Sequence, residues 1–243
     1  DGIEGRDGAG ERAVVLAGIT DEAGKLDGSG VGVDLKVSET DARVASQAGV
    51  VSIENWYGVP DAALPGTQSF PLDYNYLDEL SRFREAGYLW QEAVKYPDAL
   101  SGVIDELIAN GTAWVPTFSV YETNADFVRA VTLPWRDRYA HPTIRSLWRP
   151  RPDVHASYHS EWTTADEVAW KQNYRHWMDA VYTFYARGGL LGLGADSGYL
   201  QSLYGFALIR ELELMQQAGI HPLDVVKIAT TNSARIAGMD DEL

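Results

Sequence analysis

The sequence contains no cysteine. That absence excludes disulfides, thiolate zinc sites and a cysteine nucleophile, and it leaves the compartment open. Basic residues are scarce. Lys and Arg number 20 against 35 Asp and Glu, a formal net charge of −15. Such a chain repels phosphate backbones, so no nucleic-acid partner is expected; a soluble acidic surface accounts for the charge. No run of about eighteen apolar residues occurs, so no membrane-spanning helix is expected. No Gly-rich phosphate loop follows any strand-like segment, which argues against dinucleotide binding. A serine-hydrolase elbow is also missing, because Ala195-Asp196-Ser197-Gly198-Tyr199 lacks the first glycine of G-x-S-x-G. The first dozen residues are polar and Gly-rich, unlike a signal peptide. Asp1 is not Met, so an upstream native start stays open. Ile3-Glu4-Gly5-Arg6 spells a protease-tag site and also fits the fold reading below.

Apolar residues make up 45% of 243, enough for one large domain or a piece of a bigger one. We read residues 1–243 as one domain. What recurs along it is a strand followed by a helix. Residues 31–37 read as a short buried strand. Residues 40–48 read as a helix capped by Thr40 and ended by Gly49. Residues 50–54 are β-branched and read as the next strand. A helix over 99–110 closes at Gly111, and residues 112–118 form a strand running into a loop at Pro116. A long Trp- and Tyr-rich helix spans 165–187. A small apolar strand follows over 190–195, then helices over 202–217 and 222–237, the second opened by Pro222.

Short strands alternating with helices predict βαβ units and a parallel sheet, in a barrel or a doubly wound arrangement. About four or five strands are visible, whereas a (β/α)₈ barrel has eight in about 250 residues. Two long excursions, 56–98 and 117–164, take up part of the difference. Both follow a strand's C-terminal end, where barrel enzymes build active sites. Aromatic residues are dense in both, among them Trp56, Tyr57 and Tyr121. They either line a pocket for an apolar or aromatic ligand or pack the excursions onto the barrel. A half barrel leaves two open strand edges, so missing flanking sequence, a complementary half or a second copy is the expected partner.

The sharpest local signal is Gly192-Leu193-Gly194-Ala195-Asp196-Ser197-Gly198. A small strand ends in a carboxylate and a Gly-bearing turn before a helix. Asp196 is then either a group aimed into the barrel mouth or a helix N-cap.

From Gly189 to Met239 the chain resembles the end of amidohydrolase-superfamily barrels. The matching residues are the Gly-Ala-Asp-Ser-Gly turn, Leu203-Tyr204-Gly205, Glu211-Leu212-Glu213, Ala218-Gly219-Ile220-His221-Pro222 and Ala229-Thr230-Thr231-Asn232-Ser233-Ala234. Ser52-Ile53-Glu54-Asn55-Trp56-Tyr57-Gly58-Val59-Pro60-Asp61-Ala62-Ala63 is similar to the branch related to imidazolonepropionase and the prolidase-type amidohydrolases. The resemblance implies strands four to eight of a (β/α)₈ TIM-barrel-like α/β fold. It implies a divalent metal, zinc in the family, that makes hydroxide from water near neutral pH. Asp196 matches the strand-eight aspartate that takes the proton from the attacking water. The strand-one histidine pair has no counterpart in the chain. The strand-six histidine falls at Asn55, the strand-five histidine at Asp34 and the strand-four lysine at Glu4. Glu4, Asp34, Asn55 and Asp196 together offer oxygen ligands, which suit Mg²⁺, Mn²⁺ or Ca²⁺ better than zinc. A site holding no metal is the alternative.

His155 and His159, four residues apart, are read as substrate contacts or loop packing, with a metal role as the alternative, and Tyr199 beside the Asp196 turn as a substrate contact. His176 is read as structural and His221 as a loop residue. Lys36, two residues beyond Asp34 on the same face, pairs with it or with a substrate carboxylate.

Two functions follow. The first is a metal-dependent amidohydrolase acting on a small-molecule amide, cyclic amide or dipeptide-like C–N bond. The second is a non-catalytic small-molecule-binding or structural relative that keeps the barrel without its metal centre. The three substituted ligand positions favour the second; Asp196 and the aromatic excursions favour the first.

Overall fold

A computed structural model of the chain describes residues 32–34, 41–65, 78–149, 161–198, 201–239 and 241. Three short strands pair in parallel in the order of the chain: β1 (Gly32–Asp34), β2 (Ser52–Glu54) and β3 (Ala113–Val115). Val33 lies opposite Ile53, and Ile53 opposite Trp114. Leu191 adds a parallel bridge to Trp114. Trp114 donates its N–H to Leu190 O at 2.9 Å, and Gly192 donates to Trp114 O at 3.0 Å. Four successive segments thus run side by side in sequence order, with no reversal among the described strands.

The strands are shorter than the sequence suggests. The apolar run at 190–195 pairs through Leu191 alone because its glycines serve packing. A Cβ on Gly192 would sit 2.7 Å from Ile236 Cδ1, and one on Gly194 would sit 2.8 Å from Val115 Cγ1. Helix formers fill the rest. Helix α1 (Ala42–Gln47) is capped by Asp41, whose carboxylate accepts from Val44 N at 2.9 Å. The expected cap, Thr40, lies outside the described residues.

The two excursions are helical where they are described. The first carries α2 (Glu79–Ala93) and leads into α3 (Pro97–Ala109). The second holds α4 (Phe118–Ala125), α5 (Phe127–Val131), α6 (Pro134–Tyr139) and α7 (Pro142–Leu147). Prolines at 97, 134 and 142 occupy the first turns, where no N–H is needed. Helix α8 (Thr164–Ala186) opens with a reciprocal capping box between Thr163 and Asp166. Helix α9 (Phe206–Gln217) follows the Leu191 segment. The expected helix over 222–237 divides into α10 (Pro222–Lys227), a π turn over Ile228–Asn232 and α11 (Ser233–Ile236). Ser233 Oγ spans that turn, donating to Ile228 O at 2.8 Å and accepting from Leu193 N at 3.0 Å.

The core is aromatic. Trp56, Trp90, Trp114, Trp170, Trp177, Phe118 and Phe184 are all fully buried. Helices α2 and α8 meet across it and are stitched by side chains. Trp170 Nε1 donates to Phe83 O at 2.7 Å, and Asn173 Oδ1 accepts from Trp90 N at 3.0 Å. Gly87 permits the approach, since a Cβ there would lie 2.9 Å from the Trp170 ring.

Candidate functional site at the strand ends

Three of the four parallel segments are followed, on the same side of the sheet, by a non-glycine residue with positive φ. Asn55 follows β2 at φ 61°, Thr117 follows β3 at 53°, and Asp196 follows the Leu191 segment at 44°. A left-handed conformation costs most L-residues about 1–2 kcal/mol; Asn and Asp adopt it more readily, whereas a β-branched threonine adopts it rarely. Strain of this kind persists only where neighbouring contacts enforce it, and it gathers at functional sites.

Those contacts run from one strand end to the next. Asn55 is 3% exposed. Its N–H donates to Val115 O at 2.9 Å, and its carbonyl accepts from Trp114 Nε1 at 2.5 Å. Its side-chain Oδ1 accepts from the Thr117 hydroxyl. Thr117 therefore spends its hydroxyl on Asn55 and gives no side-chain cap to α4. The next neighbour is Ser119, whose Oγ donates to Ala195 O at 3.2 Å. Asn55, Thr117, Ser119 and Ala195 thus form one connected row, and Asp196, which is solvent-exposed, extends it.

The cap that Thr117 does not supply comes from across the fold. Glu211 of α9, 0% exposed, accepts from Phe118 N at 2.8 Å and from Ser119 N at 2.6 Å. Its two oxygens satisfy two of the N–H groups that open α4. Burial pushes the Glu211 carboxyl up to about 8, while the two backbone donors pull it down. In the turn after β2, burial raises the Asp61 carboxyl to about 6 against the pull of the Gly58 N–H, which donates to it at 3.0 Å.

Of the expected metal ligands, Asn55 is placed as described. Asp34 ends β1, but its side chain lies outside the described residues, as do Glu4 and Lys36. The expected substrate contacts His155, His159 and Tyr199 also lie outside them. Trp56, Tyr57 and Tyr121 have their rings in the aromatic core, 0%, 6% and 6% exposed. Trp56 and Tyr57 lie 4.3 Å apart between centroids, and Tyr121 stacks on Trp170 at 5.9 Å. The physical reason is the helical excursion: α2, α4 and α8 close over the strand ends and enclose the rings that follow them. His176 is half-buried on α8, and His221 caps α10 with Nδ1 accepting from Leu223 N at 3.3 Å.

Sequence reasoning missed Thr117 and the role of Glu211. A Pro-Thr pair ending a strand hints at the first. No local signal finds the second, because its partners lie 92 and 93 residues away.

Among the described residues no group of three or more His, Cys, Asp or Glu side chains is arranged to hold a metal ion. The Asn55 amide oxygen is engaged by Thr117. The described donors therefore do not fit a zinc centre, which takes at least three protein ligands.

The described fold is similar to that of a solved amidohydrolase. Bottromycin amidohydrolase superposes with a TM-score of 0.54 and 18% sequence identity, over 86% of this chain and 40% of that one. At this identity the likeness is one of fold. The chain spans less than half the length of the structure it matches. No family model and no curated protein matches the sequence.

The left-handed turn at Asn55 gives a direct test. Asn55→Gly keeps the backbone at ease and loses the Thr117 bond; Asn55→Ala loses the same bond and strains a Cβ. We expect alanine to be the less stable by about 1 kcal/mol, read from urea midpoints. Equal midpoints would mean that φ 61° at this position is not enforced.

Proposed function

We propose that this chain is part of a (β/α)₈ amidohydrolase-type barrel, strands four to eight, that presents a small-molecule amide to a C–N hydrolysis site at its strand ends. The carrying observation is the set of left-handed residues at successive strand ends, Asn55, Thr117 and Asp196. Sequential parallel strands and the fold likeness support it. Nearness to the imidazolonepropionase and prolidase-type branch rests on Ser52 to Ala63. The other strands come from further sequence, a complementary half or a second copy.

In this reading Asp196 takes a proton from the attacking water and returns it to the leaving nitrogen. Its exposure lets it meet both water and substrate. Asn55 and Thr117, buried and tied together, brace the ends of the two preceding strands. The family's divalent metal, zinc or a harder ion, is expected through donors beyond those described.

Hydrolysis of peptide-like anilides with Zn²⁺ or Mn²⁺ added tests the reading. Asp196→Asn is expected to lower turnover by about a hundredfold or more. Undiminished turnover in the variant would remove Asp196 from the chemistry. The second reading, a binding module, is favoured by the missing donor set among the described residues. It predicts saturable anilide binding without turnover in either protein, and no stoichiometric zinc in elemental analysis at pH 7.

A further inference from the structure

A cavity of about 420 Å³ opens beside the strand-end row, between α4, α5, α6 and the start of α9. That volume suits a small organic ligand, for which pockets of about 300–1,000 Å³ are usual. Leu133, Trp135, Leu203 and Phe206 line one side of it. Trp135 and Phe206 stack with centroids 4.8 Å apart and planes within 16°, which makes a flat aromatic wall.

The charged groups on the other side neutralise one another. Arg210 reaches both Glu122 oxygens, with Nη2 to Oε1 at 2.7 Å and Nε to Oε2 at 3.0 Å, and gives Nη1 to Glu213 at 2.6 Å. Arg129 sits 3.6 Å from Glu122 Oε1 with 47% of its side chain exposed. Two arginines and two glutamates leave no net charge on the lining. A neutral rim over an apolar wall disfavours a charged side chain, which would lose its hydration without gaining a counter-ion. The half-exposed Arg129 guanidinium has donors to offer a ligand carbonyl.

The remaining wall ties the cavity to the Asp196 turn. Ser119, Gln201 and Ser202 all line it. Ser119 is the residue that bonds Ala195 O, and Ser202 O accepts from Gly198 N at 3.1 Å, bracketing Asp196. Gln201 is held at φ 72° with Nε2 donating to Trp148 O at 2.7 Å. Among the described residues, Gln201 Oε1 and Ser202 Oγ are buried without a hydrogen-bond partner. Both atoms are able to hydrogen-bond a bound ligand, the glutamine oxygen as an acceptor and the serine hydroxyl as donor or acceptor.

We propose that this cavity binds an uncharged aromatic or bulky apolar side chain of a peptide-like amide, laid against Trp135 and Phe206 with its carbonyl toward Arg129. Its role as the specificity pocket beside Asp196 rests on the hydrolase reading above; the binding itself does not.

The test is equilibrium binding by calorimetry to the full chain in chelator, so that no turnover intervenes. The probes are N-acetyl-phenylalanine amide, N-acetyl-alanine amide and N-acetyl-aspartate amide. We expect the phenylalanine probe to bind at least ~10-fold more tightly than either of the others, because burying an aromatic side chain is worth well over the tenfold that separates them. Ala207→Leu, which fills the cavity, and Trp135→Ala, which removes half of the wall, are each expected to lose ~10-fold or more of that affinity. Arg129→Ala is expected to lose less. Thermal melts check that the variants fold, and the comparison of probes in the wild-type chain needs no variant. Equal binding of the three probes, or no binding of any, overturns the proposal. So does phenylalanine binding that is unchanged in folded Ala207→Leu and Trp135→Ala. Binding as expected but without hydrolysis would count against the hydrolase alone, and hydrolysis indifferent to side-chain size against the pocket alone.

Discussion

Glu211→Ala is expected to destabilise the fold by about 2–5 kcal/mol, enough to unfold much of a marginal domain. The carboxylate is the acceptor for Phe118 N and Ser119 N, which otherwise face the protein interior with no partner from Thr117. Each stranded donor costs about 1–3 kcal/mol. The truncation also leaves a void under α4. Glu211→Gln is milder, since it keeps one acceptor oxygen and the shape. The pair also has a pH signature. The folded-state value of about 8 lies above the ordinary 4.5, so the folded protein holds a proton that the unfolded chain releases. Stability from this group is full below about pH 4.5 and is lost as pH rises toward 8. The slope is at most about 1.4 kcal/mol per pH unit. Urea titrations at several pH values should show wild type losing stability relative to Glu211→Gln across that window. Parallel profiles for the two proteins would mean that the backbone donors outweigh burial and keep Glu211 ionised throughout.

The second large effect lies in the aromatic core. Trp177 is fully buried. Its ring centroid lies 4.6 Å from Phe118, 5.4 Å from Tyr174, 5.9 Å from Tyr121 and 6.1 Å from Trp56. Trp177→Ala removes the hub between α4, α8 and the end of β2, and we expect a loss of about 3–5 kcal/mol. Trp177→Phe should cost less than Trp177→Ala, because it keeps a ring in the site and leaves a smaller void. Among the described residues the buried indole N–H has no partner, so the phenyl ring gives up no hydrogen bond to them and sheds an unmet donor. Chemical denaturation distinguishes the two substitutions. A Phe variant as unstable as the Ala variant would mean that the indole nitrogen does have a partner in solution.

Both effects arise from residues whose partners are remote in the chain, and this divides what was legible from what was not. The β-branched run at 50–54, the amphipathic stretch before Gly111 and the long aromatic helix before Gly188 declare themselves by local pattern, and each is found within a few residues of its predicted place. Propensity and capping act over one or two turns, so a reader of sequence sees them. The excursion at 117–164 does not declare itself. It holds short helices begun by Pro134 and Pro142 and by the Asp126 carboxylate, which accepts from Arg129 N at 3.0 Å. Helices of five to eight residues are too short for a periodic signal to stand out.

The sequence by itself determined the alternation of strand and helix, an acidic chain without cysteine, and a carboxylate at residue 196 after a glycine-rich segment. Composition and local periodicity carry that much. Tertiary structure decided the rest. It turned Trp56, Tyr57 and Tyr121 inward, because α2 and α8 close over the end of β2 and remove those rings from water. It joined Asn55 to Thr117 and Ser119 to Ala195 across neighbouring strands. It brought Glu211 to a helix start 92 and 93 residues away, where a buried N–H pair needs an acceptor that its own neighbours do not provide. Hydrogen-bond satisfaction in a dry interior is settled by whichever group the fold delivers, and sequence separation places no limit on it.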